Sequence, residues 1–69
     1  MTDDSTGKRI KKTIKEKNMT QPEVADKAGI SRSYLHNIKA GIFDPPIKTL
    51  ARIGRVLGTS IDYLKRGRK

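Results

Sequence analysis

Arg32, Ser33, His36 and Asn37 lie close together, and each carries a side chain that can hydrogen-bond to a flat heterocycle or to an anion. Arginine can bond the O6 and N7 of guanine together, asparagine the N6 and N7 of adenine, and serine groups of either kind. Tyr34 and Lys39, among the same residues, could donate to a phosphate, although a flanking Tyr34 is equally suited to packing between helices. Catalysis is a poor match for this set. The chain has one His and no Cys, so His36 lacks partners for a zinc site, and no nucleophile or carboxylate constellation surrounds it. No glycine-rich phosphate loop is present, and neither a metal nor another cofactor is expected.

These residues need a helix to present them. Ser31 is a natural cap, Leu35 and Ile38 mark a buried stripe, and Gly41 provides the stop. At about 100° per residue, Ser33, His36, Asn37 and Ala40 then point outward, with Arg32, Tyr34 and Lys39 on the flanks. The preceding helix opens at Gln21 behind a T-x-x-E capping box of Thr20 and Glu23, with Pro22 in its first turn. Val24, Ala25 and Ala28 form its inner face, Gly29 ends it with a positive φ, and Ile30 fills the corner.

Three further helices are expected around this pair. Ile10 and Ile14 make 7–17 an amphipathic first helix, preceded by Asp3, Asp4 and Ser5 and closed by a left-handed Asn18, after which Met19 returns to the core. After a loop at 42–46, Ile47, Leu50, Ile53 and Leu57 repeat as the apolar face of a fourth helix up to Gly58. Gly54 within it costs about 1 kcal/mol relative to alanine, which implies a close contact. Ser60 caps a short fifth helix with Ile61, Tyr63 and Leu64, and Lys65 to Lys69 reads as a basic tail. No internal repeat and no alternating strand pattern is found. The expected organisation is all-α: a flexible N-terminus at 1–6, a domain at 7–65 and a tail at 66–69.

Composition narrows the partner. The 69 residues include 16 Lys+Arg against 7 Asp+Glu, a formal net charge of +9 that favours polyanions. A membrane-surface helix would pair a basic face with a broad apolar stripe, and stacking single-strand or RNA binders need exposed aromatics. There is no Trp, one Phe and 4% aromatic content. No apolar run reaches membrane-spanning length, and the polar, acidic start is unlike a secretion signal. Duplex DNA fits best, and the lack of cysteine is consistent with a reducing cytoplasm. The lysines and arginines of the first helix read as a diffuse, mostly solvated positive field.

The stretch Q-P-E-V-A-D-K-A-G-I-S-R-S-Y-L-H-N-I-K-A-G resembles the helix-turn-helix motif of the Cro/repressor-type, or Xre-like, family. I-K-T-L-A-R-I-G-R-V-L-G-T-S-I-D-Y-L is similar to that family's fourth and fifth helices, so the likeness runs from Ile10 to Leu64. The resemblance implies a compact five-helix, lambda-repressor-like fold and a sequence-specific duplex DNA-binding regulator; repression is expected over activation by a small contact patch, because so short a domain leaves little surface for recruiting polymerase. It implies base contacts from Arg32, Ser33 and Asn37 and a phosphate contact from Gln21; His36, outward on the same helix, is a further base or phosphate candidate, and Thr20, Ser31, Tyr34 and Lys39 are further phosphate candidates. It further implies a homodimer on a palindromic or pseudo-palindromic operator, with Phe43 and Tyr63 at the interface. An antitoxin or protein-interaction adaptor on the same fold is the alternative; it would favour an apolar third helix over this polar one. One pair departs from the family pattern. Members commonly join an Arg late in the first helix to a Glu near the end of the third, where this chain has Ile14 and Lys39. An apolar contact in place of the ion pair is expected, with Lys39 substituting for the missing Arg at the phosphate.

Overall fold

The capping box forms as its residues require: Thr20 Oγ1 accepts from the Glu23 amide at 3.3 Å, and Glu23 Oε1 accepts from the Thr20 amide at 3.4 Å. It starts one of five α-helices among the residues described by this computed structural model, 6–42 and 44–67. These are α1 (Thr6–Glu16), α2 (Gln21–Ala28), α3 (Arg32–Lys39), α4 (Ile47–Leu57) and α5 (Ile61–Arg66). Ser31 and Ser60 cap α3 and α5 in the same manner, each hydroxyl accepting the amide three residues on at 3.0 Å. Asn18 at φ 56° turns the chain out of α1, and Gly29 at φ 72° forms the tight corner between α2 and α3. The expectations placed on Asp3, Asp4 and Ser5, on Phe43 and on the end of the basic tail lie outside the described residues.

Each helix packs against two others in a closed ring running α1, α3, α2, α4, α5 and back to α1. The ring encloses Ile10, Ile14, Val24, Ala25, Ala28, Leu35, Ile38, Leu50, Ile53, Leu57 and Leu64, all 6% exposed or less. Met19, Ile30, Ile61 and Tyr63 pack around this centre. Such a core is small, as expected for a chain of this length, and consists of aliphatic residues that interlock without polar atoms. Gly54 permits the return of the chain after α4. A Cβ there would lie 2.9 Å from the Thr59 carbonyl oxygen and 3.7 Å from Leu64 Cδ1, so the close contact is with the turn and helix that follow.

Four expectations need correction. Ile47 is 53% exposed rather than buried, because it occupies the first turn of α4, before the helix reaches the core. Lys65 and Arg66 belong to α5 rather than to a tail, just as Thr6 opens α1 rather than ending a flexible N-terminus. Arg9 is not part of a solvated field: it is 6% exposed, its Nε donates to the Leu64 carbonyl at 2.9 Å and its Nη2 to the Lys65 carbonyl at 2.6 Å. The last carbonyls of a helix have no partner within it, and Arg9 supplies donors to two of them in α5. Thr13 is buried beside it and returns its hydroxyl to the Arg9 carbonyl at 2.8 Å.

Gly7 fixes the other flank of α1. A Cβ at this position would collide with the Ile38 carbonyl oxygen and lie 2.9 Å from that of Lys39. The first turn of α1 thus sits directly on the last turn of α3, its positive end against the other's negative end.

Candidate nucleic-acid interface

With Leu35 and Ile38 committed to the core, helical geometry leaves α3 one open side. Arg32, Ser33 and His36 are exposed on it and Asn37 is half-buried. Together with Gln21 from the start of α2, these four residues line one shallow depression. The structure therefore brings all four expected base-reading residues onto a single surface. Thr20 and Ser31 are exposed at its edge, their hydroxyl oxygens engaged as helix caps and their protons still able to reach a phosphate. Tyr34 is half-buried against the core, which favours its packing role.

Gln21 is held at both ends of its amide. Lys39 Nζ donates to Gln21 Oε1 at 2.5 Å, and Gln21 Nε2 donates weakly to the Arg32 carbonyl at 3.4 Å. One side chain at the head of α2 thereby touches both the first and the last residue of α3, fixing the angle at which α3 is presented. Ile14 enters the core as expected, but Lys39 does not simply pack against it. Instead of the expected apolar contact Lys39 makes an ammonium–amide contact, a pairing invisible to any periodicity because its members lie on different helices.

Burial, and after it the charge of Lys11, push the Lys39 ammonium below the usual lysine range. A phosphate placed beside Lys39 would reverse that shift, so association with a phosphate-bearing ligand there should take up protons in the alkaline window between the free and bound values. Affinity should consequently fall as pH rises through that window, and the Lys39→Met variant should lose this slope; titration of affinity against pH reads the difference.

Asp26 is a neighbour that sequence reasoning did not single out. Its Oδ2 lies 3.9 Å from Arg32 Nη2, with both side chains mostly exposed, so water screens the pair. The contact spans the helix-turn-helix corner, and no helical spacing connects its two members. Among the described residues no cluster of His, Asp and Glu could hold a metal ion.

A small-residue corner between two capped helices, the second with its polar side open, is the arrangement of the helix-turn-helix, and residues 7–68 match the helix-turn-helix domain family. This chain belongs to that family. Over 60 residues it is 39% identical to the immunity repressor protein of Bacillus phage phi105, covering 87% of this chain and 42% of that one. Over 59 residues it is 39% identical to the transcriptional regulator SinR of Bacillus subtilis, covering 84% and 53%. The chain spans about half the length of these helix-turn-helix relatives. The crystal structure of SinR in complex with DNA superposes with a TM-score of 0.82 at 38% identity, covering 86% of this chain and 95% of that one. The P22 c2 repressor bound to a synthetic operator superposes with a TM-score of 0.87 over 93% and 97% at 23% identity, which establishes the shared fold. The five-helix lambda-repressor-like architecture is thus the fold of this helix-turn-helix domain.

Proposed function

We propose that this chain is the DNA-reading domain of a transcriptional repressor, inserting α3 into the major groove of a specific duplex site. The observation that carries the reading is the joint placement of Gln21, Arg32, Ser33, His36 and Asn37 around one open depression. Arg32 and Asn37 are the base-reading anchors, for guanine and adenine respectively, with Ser33 and His36 alongside them. Thr20, Gln21, Ser31 and Lys39 face the phosphates on either side. The relatedness to SinR and the phage repressor supports repression and supports DNA as the partner. Paired half-sites bound by a homodimer in the cytoplasm complete the proposal, with the exposed part of the half-buried Tyr63 at the contact between copies.

Random-site selection followed by sequencing tests this reading. An enriched motif with two-fold symmetry is expected; recovery without any base preference would remove specific reading from consideration. Binding to the enriched site should weaken steeply with added salt, since each neutralised phosphate contributes a slope of about −0.9 in log K against log salt.

Two substitutions separate base from backbone contacts. Asn37→Ala should relax preference at one operator position by about 1–3 kcal/mol while sparing affinity for sites altered at that position. Lys39→Ala should weaken every site to a similar degree, because it removes a phosphate donor and releases Gln21. A uniform loss from Asn37→Ala across all sequences would reassign that residue to the backbone.

A further inference from the structure

Asp26 is an acid in a place where the helix that carries it gains nothing from one. It sits in the last turn of α2, whose carbonyl end disfavours negative charge, and three residues after Glu23, a like-charged neighbour. Glu23 is already engaged by the capping box and by Lys27 at 3.5 Å. Asp26 reaches across the corner instead, to Arg32 Nη2 at 3.9 Å, its one ion pair among the described residues. The depression that Arg32 helps to line holds no acidic residue, so Asp26 sets a carboxylate beside a surface otherwise without negative charge. We infer that Asp26 is a positioning residue that sets specificity: it aims the Arg32 guanidinium and offsets its charge, so that Arg32 selects guanine over phosphate. The inference rests on the proposal that α3 reads a duplex.

Three properties of the pair carry it. First, an arginine side chain is long and mobile, and this one is held at two points: Gln21 Nε2 donates to its carbonyl at 3.4 Å, and Asp26 faces its tip. The guanidinium has five N–H donors in a rigid fork, so an acceptor beside Nη2 still leaves donors for the O6 and N7 of guanine. Second, a cation that already shares a carboxylate gains less from another full anion than a lone cation does. Its bonds to the dipolar edge of a neutral base are not weakened in this way. Third, the pair is weak in the free chain, where the Arg32 and Asp26 side chains are 66% and 68% exposed, and strengthens when a groove expels the water between them. Asp26 therefore acts in the complex and contributes little to the stability of the fold.

The test is Asp26→Asn in the full chain. Arg32→Ala first identifies the operator position that Arg32 reads. Affinities at one salt concentration are then measured for the selected duplex, for duplexes carrying each other base at that position, and for a duplex of random sequence. Asp26→Asn is expected to bind the random duplex about threefold more tightly, because a negative charge has left the surface, and to lose about tenfold in its preference for guanine. Affinity and preference then move in opposite directions, which a loss of structure cannot produce. Urea unfolding should give wild-type stability or slightly more, since asparagine relieves the end of α2. In the Arg32→Ala background the same substitution should leave base preference unchanged. Weaker binding to every duplex would make Asp26 a tether of the corner and overturn the inference, as would a guanine preference that survives Asp26→Asn. A base preference lost on adding Asp26→Asn to Arg32→Ala would mean that the carboxylate itself reads cytosine N4, and would overturn it equally. Failure of the wild-type chain to enrich any motif would remove the reading of α3 and the inference with it; with a motif in hand, the other outcomes remove the inference alone.

Discussion

Gly7→Ala should destabilise the domain by about 1–3 kcal/mol and weaken binding to every DNA sequence alike. Alanine normally strengthens a helix relative to glycine, so propensity alone predicts the opposite sign. The difference lies in the surroundings. The new methyl group would collide with the Ile38 carbonyl oxygen and approach the Lys39 carbonyl to 2.9 Å, and both are backbone atoms with no rotamer to relieve the contact. Either α1 moves off or the last turn of α3 tilts. That turn carries Lys39, which holds Gln21, so a tilt disturbs the proposed phosphate-facing edge of the interface before the proposed base-reading residues. Urea unfolding gives the stability change, and salt-matched binding to the selected site gives the affinity change. Wild-type values for both would show that α1 and α3 do not meet so closely in solution.

Arg9→Met is expected to have a comparable or larger effect on stability with none on sequence preference. Methionine retains much of the apolar stem and removes the guanidinium, leaving the Leu64 and Lys65 carbonyls at the end of α5 without these donors. Hydrogen bonds to a charged group contribute about 1.5–3 kcal/mol each, and a buried carbonyl stripped of its partner costs more than a hydrated one. Water can enter at the more exposed Lys65 end, so a loss of about 2–4 kcal/mol is expected, or roughly 10–20 °C in Tm for a domain of this size. Arg9→Lys should recover part of it, because an ammonium can serve one carbonyl but lacks the fork that serves two. The folded fraction should still enrich the same operator, since Arg9 lies on the flank of α1 opposite α3. A changed motif would mean that α5 influences the reading helix.

The contrast between these residues and the caps shows what could be read without coordinates. Thr20, Ser31 and Ser60 were legible because a cap is a local bargain between a hydroxyl and an amide three residues ahead. Leu35 and Ile38 were legible because a helix with one dry side repeats every three to four residues, and the open side of α3 followed from them. Arg9 was not, since its acceptors lie 55 residues away and an arginine in a lysine-rich helix looks solvated. The contacts of Gln21 with Lys39 and of Asp26 with Arg32 escaped for the same reason: they join different helices. Ile47 misled because periodicity reports which side of a helix is apolar, not how far the helix extends beyond the core. The resemblance pointed to the expected reading residues; only the fold shows that Gln21 lines the same depression and that Tyr34 packs inward.

The bond from Arg9 to Leu64 also sets a schedule for synthesis. At about 5–20 residues per second a ribosome needs roughly 3–11 s to cross the 55 residues between them, and during that interval the nascent Arg9 charge must remain hydrated. The Arg9 side of the amino-terminal helix, though made first, is therefore among the last surfaces to be covered. A polypeptide extended only as far as α4 lacks the α5 carbonyls that Arg9 serves, so α1 then has a guanidinium to hydrate instead of a second helix to rest on.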